Sequence, residues 1–116
     1  MVIAPARPSG AARLARDLRA RFAAERAQRL RAVVELRVGN RPPDIERFQL
    51  VIADGRCDLA ERPLPPTTII EVDPEDLADL LGGRTKVAQL FMSQRLRVRG
   101  DMLLAARLPG LFPGVG

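Results

Sequence analysis

Cys57, Ser9 and Ser93 are the chain's thiol and serine nucleophiles, and Asp54, Asp58, Glu71, Asp73 and Asp76 are carboxylates from which an acid or base could be drawn. A nucleophile needs a base beside it, most often histidine. The 116 residues contain no histidine, and no tyrosine or tryptophan either. That excludes Ser-His-Asp and Cys-His arrangements, and a lone cysteine cannot hold a structural zinc. Neither serine lies in a G-x-S-x-G turn. Asp54, Asp73 and Asp76 fall at turn or helix-cap positions, while Asp58 and Glu71 fall on outward strand positions. The chain therefore reads as a binding protein and not an enzyme, with no catalytic residue, no metal and no cofactor.

Composition agrees with a folded binding module. Apolar residues make up 47% and charged residues 28%, which fits one globular domain with one core. The longest charge-free stretch, Leu108 to Gly116, is too short to span a bilayer. No secretory signal is visible, and the single cysteine fits a reducing compartment, so a cytoplasmic location is expected.

The net charge is +5, and eight arginines between residues 7 and 31 face only Asp17 and Glu25. That segment carries +6 and the rest of the chain −1. A solvated helix face is the plainest reading. Transient contact with an anionic membrane through residues 13–31 is the expectation carried beside it. Four phenylalanines as the only aromatics supply no stacking platform, so no nucleic-acid partner is expected.

The elements that must position these side chains follow from periodicity. Residues 1–8 read as a loose leader, with Ser9 capping a helix from Gly10. Ala11, Leu14, Ala15, Leu18 and Phe22 share one face of it, and the helix stops or resets near Ala23–Arg26. From Val33 the period becomes two, predicting strands over Val33–Val38, Arg47–Asp54, Arg56–Glu61 and Thr67–Val72. Asp54-Gly55 predicts a tight hairpin turn. Asp73-Pro74-Glu75-Asp76 starts a helix carrying Leu77, Leu80 and Leu81, and Gly82-Gly83 ends it. Thr85 is expected to cap a second short helix with Val87, Leu90 and Phe91. Arg95–Arg99 alternates again with Leu96 and Val98 inward. Asp101 caps a final helix that Pro109 and Gly110 should end near Leu108. The prediction is an α+β fold: a five-stranded, mostly antiparallel sheet covered on one face by short helices.

The run Gln89 to Phe112 resembles the end of the sterol carrier protein type 2 family. Phe91, Met92, Leu96, Val98, Gly100, Asp101, Leu104, Leu108, Leu111 and Phe112 carry the likeness. Val51-Ile-Ala-Asp-Gly-Arg-Cys57 and Asp73-Pro-Glu-Asp-Leu77 add to it, so that it covers roughly residues 11–113. A single domain over 9–113 with a tail at 114–116 follows. Gln94 stands where the family usually has glycine, and the S-K-L type address of eukaryotic members is absent, which fits a cytoplasmic bacterial protein.

The resemblance implies a hydrophobic tunnel that binds or carries sterols, fatty acids, acyl-CoA or other lipids without catalysis. On that basis the lipid-binding lining is assigned to Phe48, Leu50 and Ile52 of the sheet and to Leu77, Leu81, Leu90 and Phe91 of the middle helices. Leu96, Val98, Met102, Leu104, Leu108 and Phe112 complete it. Burying about sixteen methylenes at about 0.8 kcal/mol each leaves room for tight binding after association costs. Leu104→Arg is then expected to abolish lipid uptake with the sheet intact. The alternative is an accessory subunit whose apolar helices and arginine-rich N-terminal helix dock on a partner enzyme. Cys57 reads as a buried small hydrophobe.

Overall fold

The alternation that begins near Val33 becomes the central strand of a five-stranded sheet in the computed structural model, which describes residues 10–39 and 41–115. The expected leader and the Ser9 cap lie outside the described residues. In chain order the elements are α1 (Gly10–Ala20), α2 (Ala24–Ala27), β1 (Ala32–Val38), β2 (Glu46–Ala53), β3 (Arg56–Leu59) and β4 (Thr68–Val72). Then follow α3 (Pro74–Leu81), α4 (Val87–Met92), β5 (Leu96–Gly100) and α5 (Met102–Leu111). The sheet order is β3-β2-β1-β4-β5. Three pairings are antiparallel, while β1 and β4 run parallel. The parallel pair arises because the chain leaves the β2–β3 hairpin on one side of β1 and returns through the proline-rich 60–66 segment to the other.

Strand parity sets the inner face. Val34, Leu36 and Val38 of β1, Leu50 and Ile52 of β2, Cys57 of β3, Ile70 and Val72 of β4 and Leu96 of β5 are all buried there. Thr68 is also wholly buried, and its hydroxyl donates to the Arg99 carbonyl at 2.9 Å, so this hydroxyl is not stranded. Asp54 and Gly55 have φ of 53° and 71°, the left-handed pair that a two-residue hairpin turn requires. The helices α1 and α3 pack on each other, and α1 and α2 reach over β2 and β3. Arg19 ties α1 to β3 by donating to the Cys57 carbonyl at 3.0 Å and pairing with Asp58 at 3.2 Å.

Four local expectations change. The final helix does not stop at Leu108 but runs through Pro109 to Leu111. Its terminal carbonyls find partners in α2 and its approach: the Ala23 N–H donates to Leu111 and the Arg26 guanidinium to Gly110. Tertiary capping thus outweighs the lost proline N–H. Thr85 does not cap α4; Lys86 is the cap residue, and the Gln89 side chain reaches back toward the Lys86 N–H. Asp73 occupies the N-cap of α3, but its side chain makes no capping hydrogen bond. Asp76 is not a surface cap residue: it is buried and paired with Arg95 of the β5 approach at 2.5 Å.

Gln94 sits two residues beyond α4 with φ of 62°, exposed, as the left-handed residue that closes the helix. Left-handed strain for a non-glycine residue is about 1–2 kcal/mol, partly offset by the extra unfolded-state entropy of glycine. Gln94→Gly should therefore stabilise the fold by about 0.5–1 kcal/mol, seen as a melting temperature a few degrees higher. An unchanged or lower melting temperature would show that the turn carries no strain.

The outer face holds a polar network around Glu35, which is buried although its strand position points away from the core. Arg37 donates to it at 2.6 Å and Gln49 at 2.9 Å, and Gln49 also bonds both the N–H and the carbonyl of Leu64. The proline-rich segment is thereby pinned over the sheet. Burial pushes the Glu35 carboxyl up, but the bonds from Arg37 and Gln49 and the charges of Arg37 and Arg47 outweigh it, and the net shift is downward from 4.5. A lowered folded-state value contributes stability that is full above the unfolded value and lost as pH falls through the folded one. The stability gap between wild type and Glu35→Gln should accordingly be constant at neutral pH and shrink below pH 4.5. Denaturant titrations at several pH values would show it, and a gap that is flat through acid pH would refute it.

Candidate functional site

Between the inner face of the sheet and the helices lies an apolar cavity of about 80 Å3. Its floor is Val34 and Leu36 of β1, Leu50 of β2, Ile70 and Val72 of β4 and Leu96 and Val98 of β5. Leu18 of α1, Leu77 and Leu80 of α3 and Val87 of α4 close one side. Ala105, Leu108 and Pro109 of α5, with Phe112 and Val115 beyond it, form the cover. Phe112 is held by Phe22, whose ring centroid is 5.6 Å away.

Every one of these side chains is apolar, so the wall offers no nucleophile, no proton donor and no metal ligand. Four of the five carboxylates are engaged by arginines and stand away from the cavity: Asp54 with Arg31, Asp58 with Arg19 and Arg56, Glu71 with Arg99 and Arg37, and Asp76 with Arg95. Among the described residues no group of three His, Cys, Asp or Glu side chains could hold a metal. Ser93 spends its hydroxyl on the Gln89 carbonyl at 2.9 Å. Burial pushes the Cys57 thiol up to about 11, so it is protonated at neutral pH. Cys57 should react with iodoacetamide only as fast as the fold opens; rapid native labelling, followed by mass spectrometry, would contradict this.

Of the lining residues assigned from sequence, the structure brings Leu50, Leu77, Leu96, Val98, Leu108 and Phe112 together on the wall. Ile52, Leu81, Leu90 and Leu104 are buried core beside it, and Phe48 is half-buried at the rim of the sheet. The helix α1 packs over β2 and β3, and the void lies mainly over β1, β4 and β5, with Ile52 fully buried outside its wall. Phe91 and Met102 lie on the outer sides of α4 and α5, 46% and 51% exposed, and line no part of the cavity. Leu104→Arg would therefore bury a charge in packed core and unfold the protein rather than block a tunnel.

Sequence reasoning passed over Leu18, Val34, Leu36, Ile70, Val72, Leu80, Val87, Ala105, Pro109 and Val115 as lining. Inward parity was the signal for the strand residues. Val115, assigned to a tail, is buried. None of the described helices is long and apolar enough to cross a membrane.

Sheet, helices and wall together define an α+β domain built around an apolar internal cavity. The chain belongs to the SCP-2 sterol transfer family, whose profile matches residues 13–113. The fold is similar to that of palmitated SCP2L2 from Aedes aegypti, at 19% identity over 85% of this chain and 90% of that one, with a TM-score of 0.69. It is also similar to part of the inverting sec-alkylsulfatase Pisa1 from Pseudomonas sp., at 10% identity, 82% and 15% coverage and a TM-score of 0.68. Hydroxysteroid dehydrogenase-like protein 2 of Danio rerio is 35% identical over 54 residues, which are 47% of this chain and 13% of that protein. The chain thus aligns with only a small part of that relative.

Proposed function

We propose that the protein binds and transfers a lipid, holding an acyl or sterol-like apolar body between the sheet and α5, and that it catalyses no reaction. The observation that carries this reading is the wholly apolar wall; the palmitated state of the Aedes aegypti relative supports an acyl chain as one ligand. Size constrains the mechanism. The cavity is about half the roughly 150 Å3 that accommodates one benzene, so an acyl chain enters only as the cover moves.

The cover fits that role. Pro109 removes one hydrogen bond from the last turn of α5, and Leu108 and Pro109 are only partly buried. Gain from each buried methylene, about 0.8 kcal/mol, offsets the cost of lifting α5 and the Phe112–Val115 segment. Titration with a fluorescent fatty acid tests this: saturable one-to-one uptake at micromolar concentration is expected, and no uptake would reject it.

A second reading has its own support. Two of the similar proteins are much longer than this chain and bear enzyme names. A domain of this kind can serve by presenting lipid to an enzyme, and recovery of one partner enzyme with the native protein would favour that role.

A further inference from the structure

We propose that the outer side of α5, together with the arginine groove beside it, docks on an anionic lipid bilayer and so sets the cavity's cover against the membrane. Two independent features meet on this one helix. Leu103 is 81% exposed and Met102 51%, an unusual placement for large apolar side chains. Arg107 lies one turn from Leu103, on the same helix face, because residues four apart are neighbours. It joins Arg26, Arg29 and Arg31 in lining a groove whose only acid is Glu25.

Arg26 donates to the Gly110 carbonyl and Arg31 pairs with Asp54, while Arg29 and Arg107 make no hydrogen bond or ion pair with any described residue. Their charges are available to headgroup phosphates. The opposite side of the same helix, at Ala105, Leu108 and Pro109, is the cavity wall. A bilayer seated on Leu103 and Arg107 would take up the apolar and charged groups together, which neither a nucleic acid nor a purely acidic protein surface would do.

This narrows the membrane contact expected over residues 13–31 to its C-terminal part, Arg26, Arg29 and Arg31, and adds α5 to it. Arg19 and Arg21 of that segment are occupied inside the protein, on Asp58 and the Cys57 and Leu81 carbonyls. The inference rests on the lipid-carrier reading for its purpose, but its measurement does not. Vesicle binding is read directly by co-sedimentation, and free fatty-acid uptake is measured in parallel. Uptake without vesicle binding rejects the docking face alone; vesicle binding without uptake rejects the carrier reading alone.

The test compares phosphatidylcholine vesicles with equal mixtures of phosphatidylcholine and phosphatidylglycerol. Wild type should bind the mixed vesicles, bind them less as salt rises, and leave phosphatidylcholine alone. A charge near an anionic surface is worth about fivefold in affinity, so Arg29→Gln with Arg107→Gln should weaken binding about twenty-five-fold. Leu103→Asp should weaken it as well. Arg13→Gln with Arg16→Gln, on the exposed side of α1, should cost less than about fivefold. Equal losses from the two arginine pairs, equal binding to both vesicle types, or no binding to either would overturn the proposal.

Discussion

Uptake of a fluorescent fatty acid by Ala105→Leu is expected to fall at least about tenfold while the melting temperature holds or rises. Ala105 is partly buried on the cover of the cavity, and three added carbons at this position enter the 80 Å3 void. Burial of methylenes at about 0.8 kcal/mol each can then stabilise the protein by up to about 2 kcal/mol. The same atoms take the place of two or more ligand methylenes, which corresponds to a factor of about ten or more in affinity. Function and stability thus move in opposite directions, as expected where a void is kept for a ligand. Wild-type uptake by a stabilised Ala105→Leu protein would place the ligand elsewhere.

Gly100→Ala should have the largest effect on folding. Gly100 ends β5 with φ of +89°, and a Cβ there would lie 2.6 Å from the Thr67 carbonyl oxygen and 3.2 Å from the Thr68 Cα. Both neighbours are backbone, at the first residue of β4 and the one before it, and the Thr67 carbonyl already accepts the Asp101 N–H at 3.0 Å, so neither can retreat cheaply. Strain of this kind costs about 1–3 kcal/mol, and separating the strands adds to it. The expected loss is about 3 kcal/mol, or roughly 12 °C of melting temperature for a domain of this size. A loss below about 1 kcal/mol would mean the β4–β5 junction relaxes freely.

How far the sequence carried the fold can be read from single residues. Asp54-Gly55 was decisive because only a few residue types tolerate positive φ twice in succession. The inward sets Val34-Leu36-Val38 and Thr68-Ile70-Val72 were equally clear, since a one-residue slip would turn each set to solvent. Parity, however, says only that a side chain faces inward. It cannot say whether a helix fills the space above it, which is why Ile52 is packed core and Leu50 on the same strand is cavity wall. The failure at Pro109 has a similar source: the groups that sustain the last turn of α5, Ala23 and Arg26, lie more than eighty residues away in the chain. Parity puts Glu35 opposite the inward set, but its burial there is not legible in the sequence, because its partner Gln49 and the Leu64 carbonyl meet only when the proline-rich segment folds over the sheet. Phe91 and Met102 were drawn into the lining by their apolar type, and the structure turns them outward.

The measurement closest to the lipid-carrier reading is organic extraction of the natively purified protein followed by mass spectrometry. Fatty acid, phospholipid or isoprenoid in near-equimolar amount, lost in parallel by Ala105→Leu, is the expected result. Lipid-free protein that also takes up none when it is offered would contradict the reading and leave the cavity as a packing void.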